Sequence, residues 1–109
     1  MNIDLSGKVA LVTGGGRGIG RACCLALAEA GAEVAINYSA SEEAAEEVRA
    51  AIEEGGGRAA TYRADVSSFE LVGSMFEALK EDFAALDILV NNAGVIKDTL
   101  LFRMKPADW

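Results

Sequence analysis

Apolar positions along the chain fall into short unbroken runs separated by longer periodic stripes. The runs are Lys8–Thr13, Glu33–Tyr38, Arg58–Arg63 and Asp87–Asn91. Their starts lie roughly 25 to 29 residues apart, about one strand–helix–strand step. The segments "VALVT" and "DILVN" stay apolar instead of alternating with polar residues. A strand covered on both faces has no polar side to show, so both read as strands of a buried parallel sheet.

The stripes between the runs predict three helices. Ile19, Ala22, Cys23, Ala26 and Ala30 recur at i, i+3, i+4, and Gly31 is placed to stop that helix at C′. Ala44 or Ala45, with Val48, Ala51 and Ile52, forms the second stripe, ended by Gly55-Gly56-Gly57. Ser39 and Glu42 are spaced as its capping box. Phe69, Val72, Phe76, Leu79 and Phe83 form the third stripe, read as core. Ser67 and Glu70 are spaced as a second capping box, with Val66 and Leu71 as its hydrophobic staple. Pro106 suits the first turn of a further helix.

Strand–helix alternation with short loops predicts an α/β fold, a parallel sheet with helices on both faces. The expected strand order is 3-2-1-4, the first half of a Rossmann-type sheet plus one strand across its switch point. Residues 1–109 read as a single dinucleotide-binding half-domain, a truncated doubly wound fold.

Charge narrows the partners. The formal net charge is −7 and there is no histidine. Nucleic acid and anionic membrane both need clustered positive charge, so neither is expected. The acidic excess sits in "SEEAAEEVRAAIEE", read as a solvated helix face. The start of the chain lacks a basic segment followed by an apolar one, and the longest apolar run, Ala22 to Ala28, is far short of a membrane span. Cys23 and Cys24 are adjacent and read as helix packing, which suits a reducing, cytoplasmic compartment. Without His or Cys-x-x-Cys, no metal site is expected.

The candidate chemistry is in "TGGGRGIG", Thr13 to Gly20, placed after the first strand and opening the first helix. A helix N-terminus presents unpaired N–H groups and partial positive charge, and so attracts phosphate. Glycines remove the side chains that would hold a pyrophosphate away. Counting from Gly14, the sixth residue is Ile19, so Gly-x-Gly-x-x-Gly does not fit; the spacing is Gly14-x-x-x-Gly18-x-Gly20.

That spacing, with Thr13 before it, resembles the cofactor loop of the classical short-chain dehydrogenase/reductases. "RADV", with Asp65 and Val66, and "NNAG", Asn91 to Gly94, resemble further family segments in the same order. "KDTLLFRMKPADW" is similar to the segment that follows in bacterial 3-oxoacyl-[acyl-carrier-protein] reductases; acetoacetyl-CoA reductases and some sugar dehydrogenases share these features. The resemblance implies a dinucleotide cofactor held by Gly14, Gly16, Arg17, Gly18, Ile19, Gly20, Ser39, Asp65, Val66, Asn91, Asn92, Ala93 and Gly94. The alternative readings are Asp65 as a turn residue, Arg17 as a solvated one, and Asn91 and Asn92 as ties between strand ends. Lys97, Asp98 and Arg103 read as structural before they read as a substrate entrance.

The second strand ends Asn37-Tyr38-Ser39, without the acid that binds ribose hydroxyls in NAD-binding units. A carboxylate there would repel a 2′-phosphate, so NADP(H) is expected, with Arg17 pairing with the phosphate and Ser39 donating to it. The resemblance implies a catalytic tyrosine and lysine in Tyr-x-x-x-Lys, a serine and an asparagine. Here Tyr38 is followed four residues on by Glu42 and Tyr62 by Val66, so no catalytic residue is expected within these residues. The chain reads as the amino-terminal half of a reductase whose whole length would act on an acyl-carrier-protein thioester. An uncovered fourth strand would favour a homo-oligomer. A stand-alone nucleotide-binding module and a self-associating scaffold are the alternatives.

Overall fold

Each apolar run becomes a strand and each stripe a helix. The computed structural model describes residues 3–92. Strands β1 (Val9–Thr13), β2 (Glu33–Tyr38), β3 (Ala59–Arg63) and β4 (Ile88–Asn91) alternate with helices α1 (Gly18–Glu29), α2 (Glu42–Glu54) and α3 (Phe69–Asp82). The strands pair in parallel in the expected order, β3-β2-β1-β4. Leu11 of the central β1 lies between Ala35 and Leu89.

Side chains alternate across this sheet and feed two cores. Val9, Leu11, Ala35 and Tyr62 pack on the α3 face against Met75 and Leu79. Val12, Val34, Ile36 and Ala59 pack on the other face, against Cys24 of α1 and Ala45, Val48 and Ile52 of α2. Both faces are covered, which is why β1 is apolar at every interior position. The Tyr62 hydroxyl donates to Asp82 at the end of α3. Burial, then that carboxylate, pushes the phenol well above its ordinary range.

Helix ends follow local chemistry. α1 and α2 both stop in Schellman motifs: Ala32 N–H donates to Leu27 C=O and Gly31 N–H to Ala28 C=O, and Gly57 and Gly56 do the same to Ile52 and Glu53. Gly31 holds a φ of +105°, the conformation that the stop requires.

The helix starts differ from expectation. Ser41, not Ser39, caps α2, its Oγ accepting from Ala44 N–H at 3.3 Å. β2 runs to Tyr38, so Ser39 and Ala40 are used in turning the chain. Ser68, not Ser67, caps α3, accepting from Leu71 N–H at 3.3 Å. Ser67 is already engaged, its N–H and Oγ both donating to Asp65 Oδ1. With the cap moved by one residue, Val66 and Leu71 no longer hold the staple positions.

Two stripes are also corrected. α1 is apolar nearly all round, and its buried face is Gly20 and Cys24, flanked by Cys23, Leu27 and Ala28; Ile19 is 67% exposed, and Ala22 and Ala26 are exposed as well. In α3 the core residues are Met75 and Leu79 with Phe83 at the cap, while Phe69 is 94% exposed. Pro106 and the helix expected there lie outside the described residues.

Cys24 is fully buried, and burial pushes its thiol up to about 12. Cys23 is only half-buried. Iodoacetamide at mildly alkaline pH is therefore expected to add one group to the native chain, on Cys23, and a second only after unfolding. Intact mass spectrometry checks this, and rapid double labelling of the native chain would contradict the packing of Cys24 under Gly15.

Candidate functional site

The carboxyl ends of the strands form one rim, and the candidate residues gather on it. β1 delivers Thr13 and the glycine loop, β2 delivers Tyr38 and Ser39, and β3 delivers Asp65. Three clefts run along the rim. The first, about 470 Å³, lies at the ends of β2 and β3, lined by Ser39, Ala40, Arg63, Ala64, Asp65 and Leu71. The second, about 180 Å³, is bounded by Gly14, Gly16, Arg17, Tyr38, Ser39 and Ser41. The third, about 340 Å³, lies between the starts of α1 and α2, lined by Arg17, Gly18 and Arg21 with Ser41, Glu43 and Glu47 opposite. Ser39 borders the first two and Arg17 the last two, so the clefts form one track across the rim.

The start of α1 differs from the other helix starts. α2 and α3 are capped by serines and carry Glu42, Glu43 and Glu70 in their first turns. α1 begins at Arg17 with no side-chain cap and no acid in its first turn. The first helical bond that α1 makes is Arg21 N–H to Arg17 C=O, which leaves the amides of Gly18, Ile19 and Gly20 ahead of it. A Cβ built on Gly18 meets nothing within 4 Å among the described residues, so the space beside the first residue of α1 is open.

The other loop glycines are needed by the protein itself. A Cβ on Gly15 would lie 2.8 Å from Cys24 Sγ and 2.9 Å from Ile36 Cγ2. A Cβ on Gly16 would lie 3.1 Å from Ala45 N, and one on Gly20 only 2.1 Å from Gly14 O. Two amides at the start of the loop are also taken: Gly14 N–H donates to Asn37 Oδ1 at 3.3 Å and Gly15 N–H to Asn37 C=O at 3.0 Å. The glycines thus do two jobs. Gly15, Gly16 and Gly20 let the loop pack onto the protein, and Gly18 borders open space.

The remaining candidates divide. Arg17 Nη2 donates to Ser41 Oγ at 3.3 Å, which holds the guanidinium over the end of β2. Asp65 Oδ1 accepts from Ser67 N–H and Oγ, and these bonds, the hydroxyl's first, lower its carboxyl below the ordinary range. Asp65 therefore acts as a turn residue while also bordering the first cleft. Val66 is half-buried beside it. Asn91 and Asn92 tie strand ends: Thr13 Oγ1 donates to Asn91 Oδ1 at 3.0 Å, and Asn92 N–H donates back to Thr13 Oγ1 at 2.9 Å. Asn92 Nδ2 donates to Gly14 C=O at 3.3 Å. Ala93, Gly94, Lys97, Asp98 and Arg103 lie outside the described residues.

Asn37 is the residue that motif reasoning misses. It is 1% exposed, one of the few polar side chains in the core. The available signal was a lone amide in the apolar run "EVAINY". The donor set along the rim suits an anionic ligand: free helix-start amides, Arg17 and Arg21, and serine hydroxyls. The residues present therefore fit the phosphates of a dinucleotide, with Glu43 and Glu47 limiting how far anionic charge extends toward α2.

Comparison with known proteins agrees with this class. The sequence profile described as short chain dehydrogenase matches residues 8–109. The chain belongs to the short chain dehydrogenase family. It is 47% identical over 105 residues to a 3-oxoacyl-[acyl-carrier-protein] reductase of Synechocystis sp., covering 96% of this chain and 42% of that protein. Among solved structures it is similar to a dehydrogenase/reductase from Sinorhizobium meliloti 1021, with a TM-score of 0.82 and 46% identity over 86% of this chain and 37% of that one. It is also similar to a short chain dehydrogenase from Burkholderia cenocepacia J2315 in complex with NADP, with a TM-score of 0.79 and 50% identity over 84% of this chain and 37% of that one. The chain spans well under half the length of each of these relatives.

Proposed function

We propose that these residues form the NADP(H)-binding half-domain of a 3-oxoacyl-[acyl-carrier-protein] reductase. The whole protein would reduce a 3-oxoacyl thioester to the 3-hydroxyacyl product in fatty acid synthesis, in the cytoplasm. The observation that carries the reading is the uncapped, acid-free start of α1 at the rim, with Arg17 held beside the end of β2. The similarity to the reductase of Synechocystis sp. supports the substrate class, and the NADP complex of the Burkholderia cenocepacia relative supports the cofactor.

When bound, NADPH supplies hydride. The described residues position it. The amides of Gly18, Ile19 and Gly20 would take the pyrophosphate, and a helix start contributes roughly 0.3–1 kcal/mol to such binding, up to ~2 when partly buried. Arg17 and Ser39 would take the 2′-phosphate. Asp65 and Val66, beside the first cleft, would border adenine, and Asn91, Asn92, Ala93 and Gly94 would flank the nicotinamide side. Proton transfer belongs to a Ser and a Tyr-x-x-x-Lys that these residues do not include, so the 109-residue chain is expected to bind without turning over.

Titration calorimetry tests this. NADPH should bind measurably and more tightly than NADH, and a folded chain that takes up neither would overturn the reading. Reductase turnover by the 109 residues alone would contradict the assignment of catalysis to a missing half. A second reading, the same half of another short-chain dehydrogenase acting on acetoacetyl-CoA or a sugar, draws on the 50% identity to the short chain dehydrogenase of Burkholderia cenocepacia. A longer reading frame assayed with 3-oxoacyl, acetoacetyl-CoA and sugar substrates separates the two. We further propose that the chain self-associates through β4, whose outer edge has no paired strand among the described residues. Size-exclusion chromatography should show larger species as concentration rises; a monomer throughout would remove that proposal.

A further inference from the structure

We propose that Asn37 is a positioning residue for the cofactor, the tie that holds the glycine loop in its binding geometry. The inference rests on the reading of the rim as a dinucleotide site. Its side chain joins the glycine loop, the end of β3 and α3 at one point. Oδ1 accepts from Gly14 N–H at 3.3 Å. Nδ2 donates to Ala64 C=O at 3.0 Å and to Tyr62 C=O at 3.4 Å, both at the end of β3, and contacts Met75 Sδ of α3 at 3.4 Å. The backbone of the same residue accepts from Gly15 N–H.

A carboxamide is the side chain that can do this. It needs an acceptor toward the loop and a donor toward β3 on one short, flat group. Aspartate offers no donor for the carbonyls of Tyr62 and Ala64, and would bury a negative charge beneath a phosphate site. Leucine would leave Gly14 N–H and Ala64 C=O without partners in the interior. Asn37 does not line any of the clefts described above. Its effect on the ligand is transmitted: it fixes the first loop amides inward, so that the chain turns and Gly18, the first residue of α1, borders open space. The same amide ties the adenine side of the track to its phosphate side.

The experiment compares Asn37→Ala with Val48→Ala, a core truncation in α2 at a residue that lines none of the clefts. Both variants should melt at lower temperature. Calorimetric NADPH affinity should fall tenfold or more in Asn37→Ala and stay within twofold in Val48→Ala. Equal losses in the two, or no loss in Asn37→Ala, would overturn the proposal. If Asn37→Ala does not fold, amide exchange in the unmodified chain decides. The Gly14 N–H and the Asn37 side-chain amide protons should exchange as slowly as β1 amides, and rapid exchange of both would overturn it. If the unmodified chain binds no NADPH, the functional reading fails on its own, and slow or rapid exchange at Gly14 still tells whether the tie exists.

Discussion

Gly20→Ala is expected to destabilise the chain by about 3 kcal/mol or more, beyond the usual range for overpacking. The added methyl would stand 2.1 Å from Gly14 O, 2.9 Å from Gly14 C and 2.7 Å from Asn92 Nδ2. The nearest neighbour, the Gly14 carbonyl, is backbone, which cannot swing away. Relief would require α1 to lift from the loop, and Gly20 and Cys24 are the residues by which α1 is buried. Lifting α1 would also move its uncapped start off the rim, so NADPH binding should disappear with the stability. Gly18→Ala is the comparison. Its Cβ meets nothing, and a φ of +54° costs a non-glycine residue about 1–2 kcal/mol. Urea unfolding of both variants measures the difference, and a Gly20→Ala chain as stable as Gly18→Ala would show that the loop and helix do not approach so closely.

The legible parts of the fold are those with strong contrast along the chain. Strand positions match within a residue at each start, because β1 and β4 are continuous apolar runs between polar turns. The order of strands follows from reading the repeat as a Rossmann-type half-sheet, in which the chain returns past β1 to place β4 across the switch point. α1 resists periodic reading because "RACCLALAEA" is apolar on every side, so the stripe from Ile19 describes a face that is largely exposed. Paired serines make the capping residues ambiguous: Ser67 and Ser68 both have the right chemistry, and Asp65 decides between them by engaging Ser67. Phe69 keeps helical spacing with the core yet sits at the first residue of α3, before the helix reaches the sheet.

The candidate site was legible to a different degree. The glycine spacing places the loop between β1 and α1, but glycine identity alone does not tell which positions pack against the protein and which border open space. Contacts with Cys24, Ile36 and Ala45 separate them, and those residues are brought in by tertiary structure. Asn37 was hidden for a related reason. A single polar residue in a strand looks like a tolerated exception until its three partners from β3, α3 and the loop are seen together.

Arg17→Ala should weaken NADPH binding about ten- to hundredfold, equivalent to roughly 1.5–3 kcal/mol, the range for a hydrogen bond to a charged group. NADH affinity should stay within twofold. The guanidinium does not need to search for the 2′-phosphate, because its bond to Ser41 Oγ already holds it between the loop and the end of β2. Arg21 borders the neighbouring cleft but faces Glu43 and Glu47, so it is a poor substitute. The loss should shrink as salt rises, since the rim is open to solvent and exposed charge pairs are screened within about 10 Å at 0.1 M ionic strength. Fold stability should change little, because Arg17 is exposed and its guanidinium is tied to a serine that also caps α2 through Ala44. Calorimetry with both dinucleotides at two salt concentrations reads all of this together. Equal weakening for NADPH and NADH would mean that Arg17 meets the pyrophosphate and that discrimination between the cofactors lies elsewhere on the rim.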